Sequence, residues 1–136
     1  MIMRQWRGRV PRDKAEQYLS YLQETGLEEY RSTTGNLGAF VTTRPHGKAT
    51  EFLLVTFWES EEAIRRFAGD DYERAVYYPE DGRFLLAGAP SADHYQVKYA
   101  VHAFNKTPFN KTQGLHEQQL FPSLRPLQRL GQSSAL

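Results

Sequence analysis

The sequence contains no cysteine, which excludes disulfides, thiolate metal centres, a cysteine nucleophile and a thiol for cofactor attachment. Long apolar runs are missing as well. The longest, Phe52-Leu53-Leu54-Val55, falls far short of the ~20 residues a membrane span needs. Met1-Ile2-Met3 leads straight into Arg4 with no signal-peptide pattern, so a soluble, cytoplasmic protein without membrane contact is expected. There is no excess of either charge. Seventeen Lys and Arg face sixteen Asp and Glu, a net of +1, which gives no electrostatic basis for binding nucleic acid. The four His (His46, His94, His102, His116) lack metal-ligand spacing, and no zinc helix, phosphate loop or nucleophile elbow is present. The triplets starting at Asn105 and Asn110 match the N-glycosylation pattern, but without secretion they are read as chance.

Aromatic residues, in contrast, are plentiful and unevenly placed. Of 8 Phe, 8 Tyr and 2 Trp, every Tyr and Trp lies at or before Tyr99. Residues 1–100 carry 13 basic and 15 acidic side chains, and the remainder carries 4 and 1. A chain of 136 residues suits one domain. The expected organisation is therefore a tyrosine-rich domain, 1–101, and a basic extension, 102–136. The extension has Pro108, Pro122 and Pro126 against a long helix, Phe104 and Phe109 as docking anchors, and a disordered end after Gly131.

Within the domain, Ile2–Val10 alternates as a strand that Pro11 ends. Asp13–Thr25 reads as a helix, with Ala15, Tyr18, Leu19 and Leu22 on one stripe and Gly26 as its left-handed C-terminal residue. Leu37–Arg44 and Thr50–Trp58 form a hairpin around Pro45-His46-Gly47-Lys48. Ser60 caps a second helix that Gly69 ends. Asp71 is expected to cap a further short helix through Tyr72, Ala75 and Val76. Tyr77–Gly82 is a turn, Ala87–Ala92 a loop and His94–Val101 the last strand. The order β-α-β-β-α-β predicts a ferredoxin-like α+β fold with an antiparallel sheet and two helices on one face.

The third strand is apolar on both faces. Phe52, Leu54 and Trp58 point one way, and Leu53, Val55 and Phe57 the other. Helices cover one side only. A second copy packed sheet to sheet covers the other, making a homodimer, and C2 dimers are the commonest oligomers. The alternative cover is the chain beyond Val101 folding back.

Phe57-Trp58-Glu59-Ser60-Glu61-Glu62-Ala63-Ile64, followed by Phe67-Ala68-Gly69, resembles the antibiotic biosynthesis monooxygenase family of the dimeric α+β barrel superfamily. Tyr77-Tyr78-Pro79-Glu80-Asp81 and His94-Tyr95 look like an uncharacterised bacterial branch of it. The resemblance implies a pocket between helices and sheet in each subunit. Some members oxygenate aromatic polyketides there with O2 alone, without metal or flavin, and others cleave haem. The haem-degrading members use an Asn, a Trp and a His at positions that match Trp6, Phe67 and Tyr77 here, so haem cleavage is not expected. No cofactor is expected, and the ligand is a small aromatic or enolic molecule. Trp6 and Phe67 are candidate pocket walls, Tyr72 a further binding residue and Arg4 an anion holder. Tyr77, Tyr78 and His94 are candidate proton-handling groups. Trp58 is assigned to the core. Arg4, Arg7 and Arg9 also fit surface or intersubunit ion pairs. The acid pairs Asp70-Asp71 and Glu80-Asp81 are read as a helix cap and a turn. The second functional reading is a non-catalytic dimer that binds a small ligand or a protein partner.

Overall fold

A computed structural model describes residues 1–101, and Met1–Val97 form one compact unit. The extension 102–136, with the expected docking through Phe104 and Phe109, lies outside the described residues. The elements are β1 (Ile2–Pro11), α1 (Ala15–Glu24), α2 (Gly26–Ser32), β2 (Asn36–His46), β3 (Ala49–Trp58), α3 (Glu61–Ala68), β4 (Ala87–Gly88) and β5 (Asp93–Gln96). All pairings are antiparallel. The sheet runs β2-β3-β1, and β4 and β5 both join the far edge of β1. This is the predicted α+β ferredoxin-like arrangement. Among the described residues no helix is long and apolar enough to cross a membrane.

β1 and β3 pair from Ile2↔Trp58 to Pro11↔Ala49. Side chains alternate across a strand, so Ile2, Arg4, Trp6 and Val10 share the helix-covered face with Trp58, Thr56, Leu54 and Phe52. Trp58 is fully buried, as assigned, against Tyr30 and Phe67, and its Nε1 donates to Thr56 Oγ1 at 2.8 Å. A buried indole N–H needs such a partner. Met3, Gln5, Leu53, Val55, Phe57 and Phe40 stand on the opposite face, each half-buried. Glu51 lies on that face between Arg9 and Arg44, at 3.5 and 2.7 Å. The hydrogen bond from Arg44 is the main reason its carboxyl is held below the usual range. Arg9 thus pairs within its own sheet, while Arg4 is buried rather than at the surface.

Four expectations need correction. Gly26 does not end a helix in the left-handed region; it opens α2, which the sequence reading did not assign. Thr25 closes α1 instead, its hydroxyl donating to Tyr21 O at 2.8 Å. No helix follows Asp71. Residues 73–75 pair with 90–92, through Ala75 N to Pro90 O and Ala92 N to Glu73 O, at 3.0 and 2.8 Å. The Arg4 guanidinium takes the carbonyls of Tyr72 and Arg74, which a helix would have used itself. The expected loop 87–92 contains β4, because Gly88 and Ala87 pair with Gly8 and Arg9. Finally, β5 ends at Gln96 rather than at Val101.

Candidate functional site

Gly8 and Gly88 face each other across β1 and β4 and leave a bare strip of sheet. Trp6 folds over it: a Cβ on Gly8 would lie 2.2 Å from Trp6 Cη2. A Cβ on Gly88 would lie 2.6 Å from the Tyr77 hydroxyl. The Trp6 and Tyr77 rings meet edge to face at 5.9 Å. Trp6 Nε1 donates to Ala89 O at 3.0 Å and to Tyr77 Oη at 3.2 Å, and Tyr77 Oη donates to Ala89 O at 2.5 Å. Tyr77 is the outer member of this group, 44% exposed.

Arg4 is buried on β1, opposite Thr56 on β3 and His94 on β5. Its guanidinium donates to Tyr72 O, to Arg74 O at 3.1 Å and to His94 Nε2 at 2.8 Å, and lies 5.8 Å from the Phe67 ring centroid. Among the described residues it has no carboxylate partner. Burial pulls its pKa down, yet a guanidinium stays protonated in a protein. A guanidinium only donates, so His94 Nε2 must accept and the imidazole proton sits on Nδ1. Burial, then the Arg4 charge, hold His94 below its ordinary range and keep it neutral. Tyr72 packs edge to face on His94 at 5.0 Å, with Arg65 over its ring.

A cavity of about 30 Å³ lies between the helices and the sheet, with Arg4, Trp6, Phe67, Tyr77 and Tyr78 in its lining. The fold therefore gathers five of the seven singled-out side chains around one space. Tyr72 and His94 stand outside the lining and touch Arg4. Tyr78 donates to Glu29 Oε2 at 2.6 Å, and burial and that carboxylate push its hydroxyl up, so it holds its proton firmly.

The lining also includes Tyr18, Tyr30 and Asp81, which the sequence reading did not place in a site. Burial pushes Tyr18 up, and pushes Tyr30 up to about 12 although Arg4 pulls it down. Asp81 opens a 3-10 turn at Asp81–Arg83 and is only 6% exposed. Its Oδ2 accepts from Tyr78 N at 2.6 Å. Its Oδ1 is buried and has no protein hydrogen-bond partner among the described residues. Burial raises the carboxyl above its usual range despite the Tyr78 N–H. In sequence, Tyr-Tyr-Pro-Glu-Asp-Gly reads as a surface turn, and no spacing marks its fourth polar position as inward-facing.

The sequence model of the antibiotic biosynthesis monooxygenase family matches residues 1–76, more than half of the chain. The chain belongs to the antibiotic biosynthesis monooxygenase family. Among solved structures, a Bacillus cereus protein assigned to the same family superposes with a TM-score of 0.53 at 16% identity, covering 75% of this chain and 97% of its own. Rv0793 from Mycobacterium tuberculosis gives 0.51 at 17% identity, covering 74% and 98%. A mutant of MhuD, solved with two manganese protoporphyrin IX molecules per active site, gives 0.52 at 19% identity, covering 76% and 100%. At these identities the likeness establishes the fold. No curated protein matches the sequence. The three positions that the family resemblance aligned with the haem-degrading residues, Trp6, Phe67 and Tyr77, meet at the cavity.

Proposed function

We propose that this antibiotic biosynthesis monooxygenase family member oxygenates an aromatic or enolic metabolite in the cavity, using only substrate and O2. The observation that carries this reading is Arg4, a buried cation with no carboxylate partner among the described residues, beside a space walled by Trp6 and Phe67. Such a cation stabilises the anion of a phenol or enol far better than water does, because little solvent screens it. The acidic C–H or O–H loses its proton and the anion settles towards Arg4. It then gives electrons to O2. For a methylene substrate a C–O bond forms and the O–O bond breaks. One oxygen atom becomes the carbonyl, and the other leaves as water with the two methylene hydrogens.

The cavity holds about one water, whereas ligand pockets usually measure about 300–1,000 Å³. Tyr77, the exposed member of the lining, is the side chain that opens it, by giving up its hydrogen bonds with Trp6 and Ala89 and its ring contact with Trp6. Haem, which the family resemblance raises, does not suit the donor set. No His lines the cavity among the described residues, His94 Nε2 is engaged by Arg4, and the Tyr77 hydroxyl is engaged by Trp6 and Ala89. The working unit is a homodimer joined through the sheet face of Leu53 and Val55, opposite the helices, with residues 1–101 as its domain.

The second reading is a binding module without turnover. It is favoured by the same tethering, since Tyr77, Tyr78 and His94 each spend a polar atom on the protein itself. Oxygen uptake with a panel of anthrone-like and hydroxyquinone compounds separates the two. Uptake that saturates with substrate supports the oxygenase, and tight binding with no uptake supports the module.

A further inference from the structure

The site as described has a place for the anion but no obvious taker of its proton. His94 Nε2 accepts from Arg4, Tyr78 donates to Glu29, and the Tyr77 hydroxyl already serves Trp6 and Ala89. One lining group differs. Asp81 is 6% exposed, Tyr78 N–H holds its Oδ2, and its Oδ1 has no protein partner among the described residues. A buried carboxylate oxygen without a protein partner needs one from a water, an ion or a ligand in the cavity.

We propose that Asp81 is the proton acceptor of the cavity: its Oδ1 takes the acidic proton of the bound ligand, and the negative charge passes to the ligand beside Arg4. The proposal rests on the oxygenase reading for its place in a reaction. The step balances simply. The ligand C–H or O–H bond breaks, an O–H bond forms on Asp81, and the electron pair stays on the ligand. One negative charge is present in the cavity before and after, so the cavity's net charge does not change. The groups facing Asp81 agree with this. Tyr18 from α1 and Tyr30 from α2 are hydroxyls kept neutral by burial, and on its own segment Tyr78 offers a backbone N–H. Glu29 lies beyond the Tyr78 hydroxyl. Burial lifts Asp81 in the direction a base working near neutrality requires.

The test uses the full-length protein with anthrone in heavy water under strict exclusion of O2, so that proton removal is read without oxygenation. Deuterium entering the anthrone methylene is followed by NMR. Wild type is expected to catalyse the exchange. Asp81→Asn keeps an oxygen for Tyr78 N–H and is expected to slow exchange about a hundredfold with anthrone binding retained, and Asp81→Glu to recover part of the rate. Wild-type exchange should also rise with pH through one ionisation above the ordinary aspartate range. An Asn variant within about twofold of wild type, absent wild-type exchange or a pH-independent rate overturns the proposal. Oxygen uptake is scored separately. Exchange without uptake defeats the oxygenase reading alone, and uptake with Asp81-independent exchange defeats this proposal alone.

Discussion

At the scale of single residues, the fold spends stability on its cavity. A carboxylate buried at Asp81, with no protein hydrogen-bond partner for Oδ1 among the described residues, costs more free energy than a neutral side chain of the same shape. Its raised pKa means the folded state binds the proton more readily than the unfolded chain. Stability from this residue is therefore present below the ordinary aspartate value and is lost as pH rises through the raised one. Asp81→Asn is expected to melt higher than wild type at about pH 8, with the gap closing towards about pH 4, in calorimetry across that range. Gly8 is a second case. Alanine there would put a methyl carbon into the Trp6 indole, which is held down by Ala89 O. Gly8→Ala is expected to expel the ring, shift indole fluorescence to the red and cost about 1–3 kcal/mol in urea unfolding. Neither residue announces this in sequence. Asp81 looks like a turn residue because its cavity neighbours Tyr18 and Tyr30 lie tens of positions away, and the fold of the Trp6 ring back over Gly8 is not set by their spacing of two.

Individual elements differ in how far local signals determine them. α3 was legible in full. Ser60 Oγ accepts from Ala63 N at 3.2 Å, Glu61 and Glu62 fill the first turn, and Gly69 leaves at φ 86°. Ser60→Ala is expected to lower stability by about 1 kcal/mol, seen as a lower urea midpoint with an unchanged slope. The β2–β3 hairpin was equally plain from the Pro45–Lys48 reversal with Gly47 in it, between two strand-forming stretches. α2 was not, since its seven residues bury only Gly26 and Tyr30 and show no stripe. Residues 71–76 and 87–92 were misread for a clearer reason. Their carbonyls are claimed by Arg4 and their backbone pairs across a gap of some sixteen residues, while local propensity around Asp71 points to a helix. That Trp6, Phe67 and Arg4 reach the cavity was legible from the alternation of the first strand, the apolar face of α3 and the family resemblance. Tyr18, Tyr30 and Asp81 were not, because facing a small cavity and facing core look alike in a pattern.

At the scale of the whole molecule, two sheet faces have different assignments. The helices cover one, and the proposed second copy covers the other. Val55, centred on that face between Gln5 and Phe40 in register, is the position where a charge should matter most. Val55→Lys is expected to convert a dimer into a monomer in sedimentation equilibrium, and a wild-type monomer at micromolar concentration contradicts the dimer. The functional claim reduces to one measurement on the intact protein. Wild type and Ala75→Phe, which adds a ring at another residue of the cavity lining, are given anthrone and isotopically labelled O2, and the product is read by mass spectrometry. Wild type is expected to place one labelled oxygen atom in the product carbonyl, and the variant to lose turnover. Anthrone bound without label transfer, or a variant as active as wild type, would contradict the oxygenase reading.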